Sequence, residues 1–268
     1  MMRSLPLLVL LLASGVSAQP AMMPVAQLTM APAPMWNPAA AYVTAGQDEP
    51  GYRSWYVAAP WRSGQVTAFN NYLITWGVGG VVPTWQLLRT ASSWQRCGSQ
   101  PFEVPPTAEW PRIVQTLRYV RDFVIPTVGP VEPVSVYRNP HLNVCAGGAP
   151  DSAHRHFQAV DMVPLRPINR DAMMRDLCAV HARRGSGYDV GLGFYAFMRF
   201  HIDSMKFRKW GVNGTPEASP CLAPLPAPAA PVAATSATPN VLASPLSPVP
   251  APVPQPVLTQ PYPAQPGS

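Results

Sequence analysis

From Leu222 to Ser268 the chain has no Lys, Arg, Asp or Glu, and 14 of those 47 residues are proline. Each proline removes a backbone donor and fixes φ, so neither a helix interior nor a central strand tolerates that density. Such a stretch cannot bury a core and reads as a polyproline-like, disordered tail. Residues 19–50 are rich in Pro, Ala and Met and read as largely irregular. A folded domain is left with Gly51 to Cys221, about 170 residues, a length suited to one hydrophobic core.

The first residues, MMRSLPLLVLLLASGVSAQP, combine Arg3, an apolar run from Leu5 to Leu12, and the small residues Val16 and Ala18. The run is too short to span a bilayer and has the form of a secretory signal over residues 1–18, cut after Ala18. The expectation is a soluble, exported protein of the periplasm with no transmembrane segment. Export gives the four cysteines, Cys97, Cys145, Cys178 and Cys221, a redox context: two disulfides, in any of three pairings. A zinc-thiolate site fits poorly, because the nearest pair, Cys145 and Cys178, is 33 residues apart and no C-x-x-C occurs. The formal net charge of +6 comes from arginines scattered through the domain. It suits the anionic polymers of a cell envelope, and export argues against nucleic acid.

Within the domain, Val66, Phe69, Leu73 and Trp76 recur at helical intervals and Gly77 stops them. Trp85 to Ala91 reads as a short helical turn. A clearer helix opens at Glu109-Trp110-Pro111, carries the stripe Ile113, Leu117, Val120 and Val124, and should end at Pro126 and Gly129. Val134 to Tyr137 reads as a strand closed by Asn139-Pro140, and "AVDMVPL" as a second. "NRDAMMRDLCAVHARRG" is a helix capped by Asn169 and stopped by Gly185. "VGLGFYAFMRFHIDSMKFRKWG" holds two or three further strands. Helices before and between a few antiparallel strands predict an α+β fold.

Two of the five histidines fall in "SAHRHFQAVD", Ser152 to Asp161. His154 and Asp161 are seven apart, so a straight strand would send them to opposite faces. They converge only if the chain bends over Arg155 to Gln158. Asp161 lies in an apolar strand, where a carboxylate needs a cation or hydrogen bonds. That pair alone reads more simply as a polar loop with a strand-end Asp than as a metal site. In "RFHIDS", His201 and Asp203 alternate with Phe200 and Ile202 and share one strand face. Two histidines and one carboxylate from separate strands make a zinc set with one position open for water. Of the remaining histidines, His156 reads as a solvated loop residue, His141 as a loop residue near the cleft, and His181 as a helix-end residue favoured by the dipole.

Ser152 to Asp161 resembles the S-x-H-x-x-G-x-A-x-D motif of the zinc D-Ala-D-Ala metallopeptidases, peptidoglycan-cleaving enzymes with a hedgehog-like fold. Ser152, His154, Ala159 and Asp161 match it. "VSVYRNP" is similar to the S-G-Y-R segment that precedes the motif, and the H-x-D stretch from Gly191 to Gly211 resembles the C-terminal half of one subgroup. The resemblance implies a small, mostly antiparallel sheet with flanking helices. It implies Zn2+ on His154, Asp161 and His201, and Arg138 stabilising charge on the substrate. Ser152 would hold the substrate or its own loop. The activity implied is hydrolysis of an amide bond in peptidoglycan stem peptides, by carboxypeptidase or endopeptidase cleavage. The chain departs from the pattern at Phe157, where the family has glycine, and at Met198, where many members carry a catalytic Glu. Asp203 is then the expected general base, the alternative being a carboxylate that orients His201. Other readings are a non-catalytic, zinc-containing peptidoglycan-binding module that reaches partners through its proline tail, and a disulfide-stabilised structural protein without metal.

Overall fold

One open sheet is built from β1 (Val131–Ser135), β2 (Ala159–Pro164), β3 (Gly191–Phe194), β4 (Phe200–Asp203) and β5 (Arg208–Trp210), in the order β1-β2-β4-β3-β5. A computed structural model describes residues 35–222. The expected signal over residues 1–18 and the proline-rich tail beyond residue 222 lie outside them. Neighbouring strands are antiparallel except β3 and β5, which run parallel. The helices are α1 (Glu49–Val57), α2 (Trp61–Thr75), α3 (Thr84–Leu87), α4 (Trp110–Tyr119), α5 (Ile125–Val128), α6 (Pro140–Cys145) and α7 (Arg170–Arg184). The architecture is α+β, as expected, with a small mixed sheet.

Period-two alternation decides what the sheet does with its two faces. Val160 and Met162 on β2, Leu192 and Phe194 on β3, and Phe200 and Ile202 on β4 are all essentially inaccessible. They form one core with Ile113 and Leu117 of α4 and Met173 and Leu177 of α7. Burying each such side chain contributes about 1.5–3 kcal/mol. Asp161, His201 and Asp203 take the opposite parity, so the core that anchors these strands also aims the polar residues at the other face.

The helix opened by Trp110-Pro111 does not stop at Pro126. The Ile125 N–H bonds back to the Val120 carbonyl through a π turn over Val120–Val124. That widened turn carries Pro126 within the helix, which ends at Gly129 with φ +81°. The first strand also lies upstream of the expected Val134–Tyr137, and the Val136 N–H pairs instead with the Arg89 carbonyl.

Residues 35–48 hold one short 3₁₀ turn, Pro38–Ala41, and little other regular structure, yet they are docked on the domain. Gln47 is fully buried and its amide donates to the carbonyls of Thr90, Ala91 and Pro101. Asp48 caps α1 by accepting from the Gly51 N–H. Ala39 packs on Val134 and Val163, Trp36 donates to the Pro164 carbonyl, and the Tyr42 hydroxyl donates to the Ala196 carbonyl. Arg89, nearly inaccessible, fastens the segment by donating to the Gln47 carbonyl and pairing with Glu132 at 2.7 Å. Composition hid this because backbone-directed side chains, not an apolar stripe, hold the segment.

Cys97 is bonded to Cys145 and Cys178 to Cys221. Two disulfides suit an oxidising, extracytoplasmic environment. No helix among the described residues is long and apolar enough to cross a membrane.

Candidate metal centre

The bend that His154 and Asp161 require is present. Ser152 opens a tight turn over Ala153–His156, its hydroxyl accepting from the His154 N–H. Phe157 then takes a left-handed conformation, φ +49°, before β2 begins at Ala159. Only glycine adopts that region without cost. Phe157 holds it because its ring is fully buried against Phe69 and Tyr137. The backbone of a glycine position is thus kept by a side chain that doubles as core.

β2 and β4 place Asp161 directly opposite His201, and β3 places Gly193 on the other side of His201. The result is a buried group of His154, Asp161 and His201, with one ligand atom from each lying within 4.8 Å of the others. Asp161 Oδ1 is 3.2 Å from His154 Nε2 and 2.9 Å from His201 Nδ1. Its Oδ2 accepts from Arg138 at 2.8 Å, and the Tyr195 hydroxyl bonds the same carboxylate. Burial opposes charge on Asp161, but its bonds to His201 and the Arg138 charge oppose that and hold the carboxyl well below its usual range.

The outer nitrogens of both imidazoles are fixed. His154 Nδ1 lies 2.6 Å from the Val136 carbonyl and His201 Nε2 lies 2.8 Å from Asp203 Oδ2. An acceptor on the outside of each ring turns the other nitrogen inward, the arrangement found behind metal-bound histidines. His154 is the informative one. Burial, with the Arg138 charge, pushes it down to about 4, so it is neutral at pH 7. A neutral ring that donates Nδ1–H to Val136 has only a lone pair on Nε2, and this faces a carboxylate oxygen. Two acceptors facing each other in buried space call for a cation. His201 differs: burial lowers it, but Asp161 and Asp203 on opposite sides raise it overall, so without a metal it keeps its proton to a higher pH than a free imidazole does.

Asp203 is fully buried and occupied. It accepts from His201, from Arg208 through two nitrogens at 3.2 and 2.8 Å, and from the Met205 N–H. Burial works against its charge, and His201 with Arg208 outweighs that, lowering it. It stands behind the His201 ring, on the side away from Asp161. Its bonds direct it at His201 Nε2 and Arg208 rather than at the nitrogen that faces Asp161.

A cavity of about 910 Å³ opens over the group, with Arg138, Ser152, His154, Tyr195, His201 and Arg208 among its walls. The structure brings together every residue expected of the site. Met198 packs against the core instead. His156 is half-buried outside the group, and His141 is exposed with Nε2 on the Cys97 carbonyl. His181 lies in the last turn of α7, as expected, but it is buried, stacked on Phe207 at 4.6 Å, and bonded to the Val190 carbonyl.

Sequence reasoning missed Tyr195 and Arg208, although a signal was there. Gly191 and Gly193 share the parity of the site face, and β5 sets Arg208 and Trp210 beside them. A Cβ on Gly191 would fall 2.2 Å from Asp203, and one on Gly193 2.0 Å from Trp210. A G-x-G inside a strand marks space taken by large neighbours.

No family model matches the chain, and neither the curated proteins nor the solved structures contain a match.

Proposed function

We propose that this chain is an exported zinc-dependent peptidase that hydrolyses an amide bond in peptidoglycan stem peptides, the activity its resemblance to the zinc D-Ala-D-Ala metallopeptidases implies. The observation that supports it best is the pair of facing acceptors, His154 Nε2 and Asp161 Oδ1, with His201 Nδ1 beside them. Two imidazoles and a carboxylate are the donor set of a catalytic zinc with a fourth position open. Lewis acidity is what the ion would supply, polarising a carbonyl and acidifying a water. Arg138 and Tyr195 direct donors into the same space and are suited to charge developing on the substrate's oxygen. Ser152 holds the His154 turn. Asp203 is assigned to positioning His201. The remaining carboxylate on the cavity wall is Asp151, which forms no ion pair among the described residues and is the candidate for proton transfer.

One observation favours a second reading, a zinc-containing module that binds peptidoglycan without cutting it. Asp203 is committed to His201 and Arg208, and the position of the family's Glu is held by Met198, partly buried against the core, so neither presents a base to the metal side.

Metal analysis and digestion of muropeptides, read by mass spectrometry, test both. The mature protein should carry about one zinc per chain. His154→Ala and His201→Ala should each lose the zinc and the cleavage. Undiminished cleavage in either variant would overturn the peptidase, and muropeptide binding without turnover in the zinc-loaded wild type would select the second reading.

A further inference from the structure

The cavity has more positive charge than its metal group needs. Arg138 is balanced by Asp161 and Arg208 by Asp203. Arg199, on the turn between β3 and β4, also lines the cavity, and it pairs with no carboxylate among the described residues. Its guanidinium lies 3.7 Å over the ring of Tyr195 and 4.9 Å over the ring of Tyr42. Its Nε is buried and has no hydrogen-bond partner.

These facts belong together. Two aromatic faces hold the guanidinium in place without neutralising it or using its in-plane donors. A planar fork held this way is preorganised for a carboxylate, because its terminal nitrogens bond no protein acceptor among the described residues. Tyr195 also ties it to the metal group, since the hydroxyl of that ring bonds Asp161. Tyr42 belongs to the segment preceding α1 and is secured across the cavity by its bond to the Ala196 carbonyl. The same segment that packs on Val134 and Val163 therefore completes the second seat.

We infer that the cavity takes a ligand with two separated anionic groups, one directed to the His154–Asp161–His201 centre and Arg138, the other a carboxylate seated on Arg199 between Tyr42 and Tyr195. This rests on the proposed metal site and extends it to substrate class: an acidic peptide with a second free carboxylate, not a neutral one. Arg199 is thereby a specificity residue.

The test does not need peptide turnover. Calorimetry on the zinc-loaded full chain compares acetate with linear dicarboxylates from malonate to pimelate. At least one chain length should bind ten-fold or more tightly than acetate. Arg199→Gln should abolish that gain while acetate affinity stays within about twofold, and Arg199→Lys, which keeps the charge but not the fork, should recover only part of it. The inference is overturned if no dicarboxylate outbinds acetate, if the gain survives in Arg199→Gln, or if both variants lose zinc, which would make Arg199 a structural support. A dicarboxylate gain that depends on Arg199, in a protein that leaves muropeptides uncut, would sink the peptidase reading alone.

Discussion

Asp203 Oδ2 stands 2.8 Å from Nε2 of His201, across the imidazole from the nitrogen that faces Asp161. A ring cannot turn both nitrogens to one ion, so this carboxylate would act on a bound metal through His201. Asp203→Asn should weaken zinc affinity by about 10- to 100-fold, the usual cost of losing such a partner. Competition with a chromogenic chelator measures it. Unchanged zinc affinity with a collapse in turnover would restore Asp203 as the base.

That relationship marks the limit of what was legible beforehand. Alternation placed His201 and Asp203 on one strand face, and it did. Parity cannot say whether two residues on one face point at a common ligand or at each other. The answer depends on Arg208, which arrives from β5 beside a glycine, a pairing set by tertiary register. The α+β class, the main helices and the bend between His154 and Asp161 could be read because local periodicity and parity carry them. The docking of residues 35–50 could not, since Gln47 and Arg89 act on backbone groups distant in sequence.

Phe157 allows a reversal of the usual order of small residues. Elsewhere glycine costs stability relative to alanine, but at φ +49° alanine bears the left-handed strain and glycine does not. Phe157→Ala should lose about 3–5 kcal/mol through the cavity it leaves. Phe157→Gly should lose about 1 kcal/mol less, the strain being relieved. Urea unfolding of the two variants decides it, and alanine proving the more stable would show that the turn relaxes away from the left-handed region.

His181 should make the metal-free protein acid-sensitive. Burial lowers its pKa below the ordinary 6.5, outweighing its bond to the Val190 carbonyl. Above pH 6.5 neither folded nor unfolded chain protonates it, and stability is unaffected. As pH falls below that value the unfolded chain takes up a proton that the folded one refuses, so stability drops until the folded pKa is reached. Melting temperatures between pH 7 and 5 should therefore fall more steeply in the wild type than in His181→Gln. Equal slopes would mean that the ring accepts its proton within the fold.

Zinc uptake should release protons unequally from the two histidines. His154, held down to about 4 by burial and Arg138, already offers a lone pair at pH 7. His201, raised by the carboxylates on both sides, must give up its Nδ1 proton before that nitrogen can bind. Its Nε2 proton stays with Asp203. Titration of the metal-free chain with zinc at pH 6, below the range in which a zinc-bound water ionises, in two buffers of different ionisation enthalpy, should report about one proton released per ion. In His201→Ala the release should disappear along with most of the affinity. Release of two protons would mean that His154 is charged in the metal-free fold, and the facing lone pair and carboxylate would then be an ordinary ion pair.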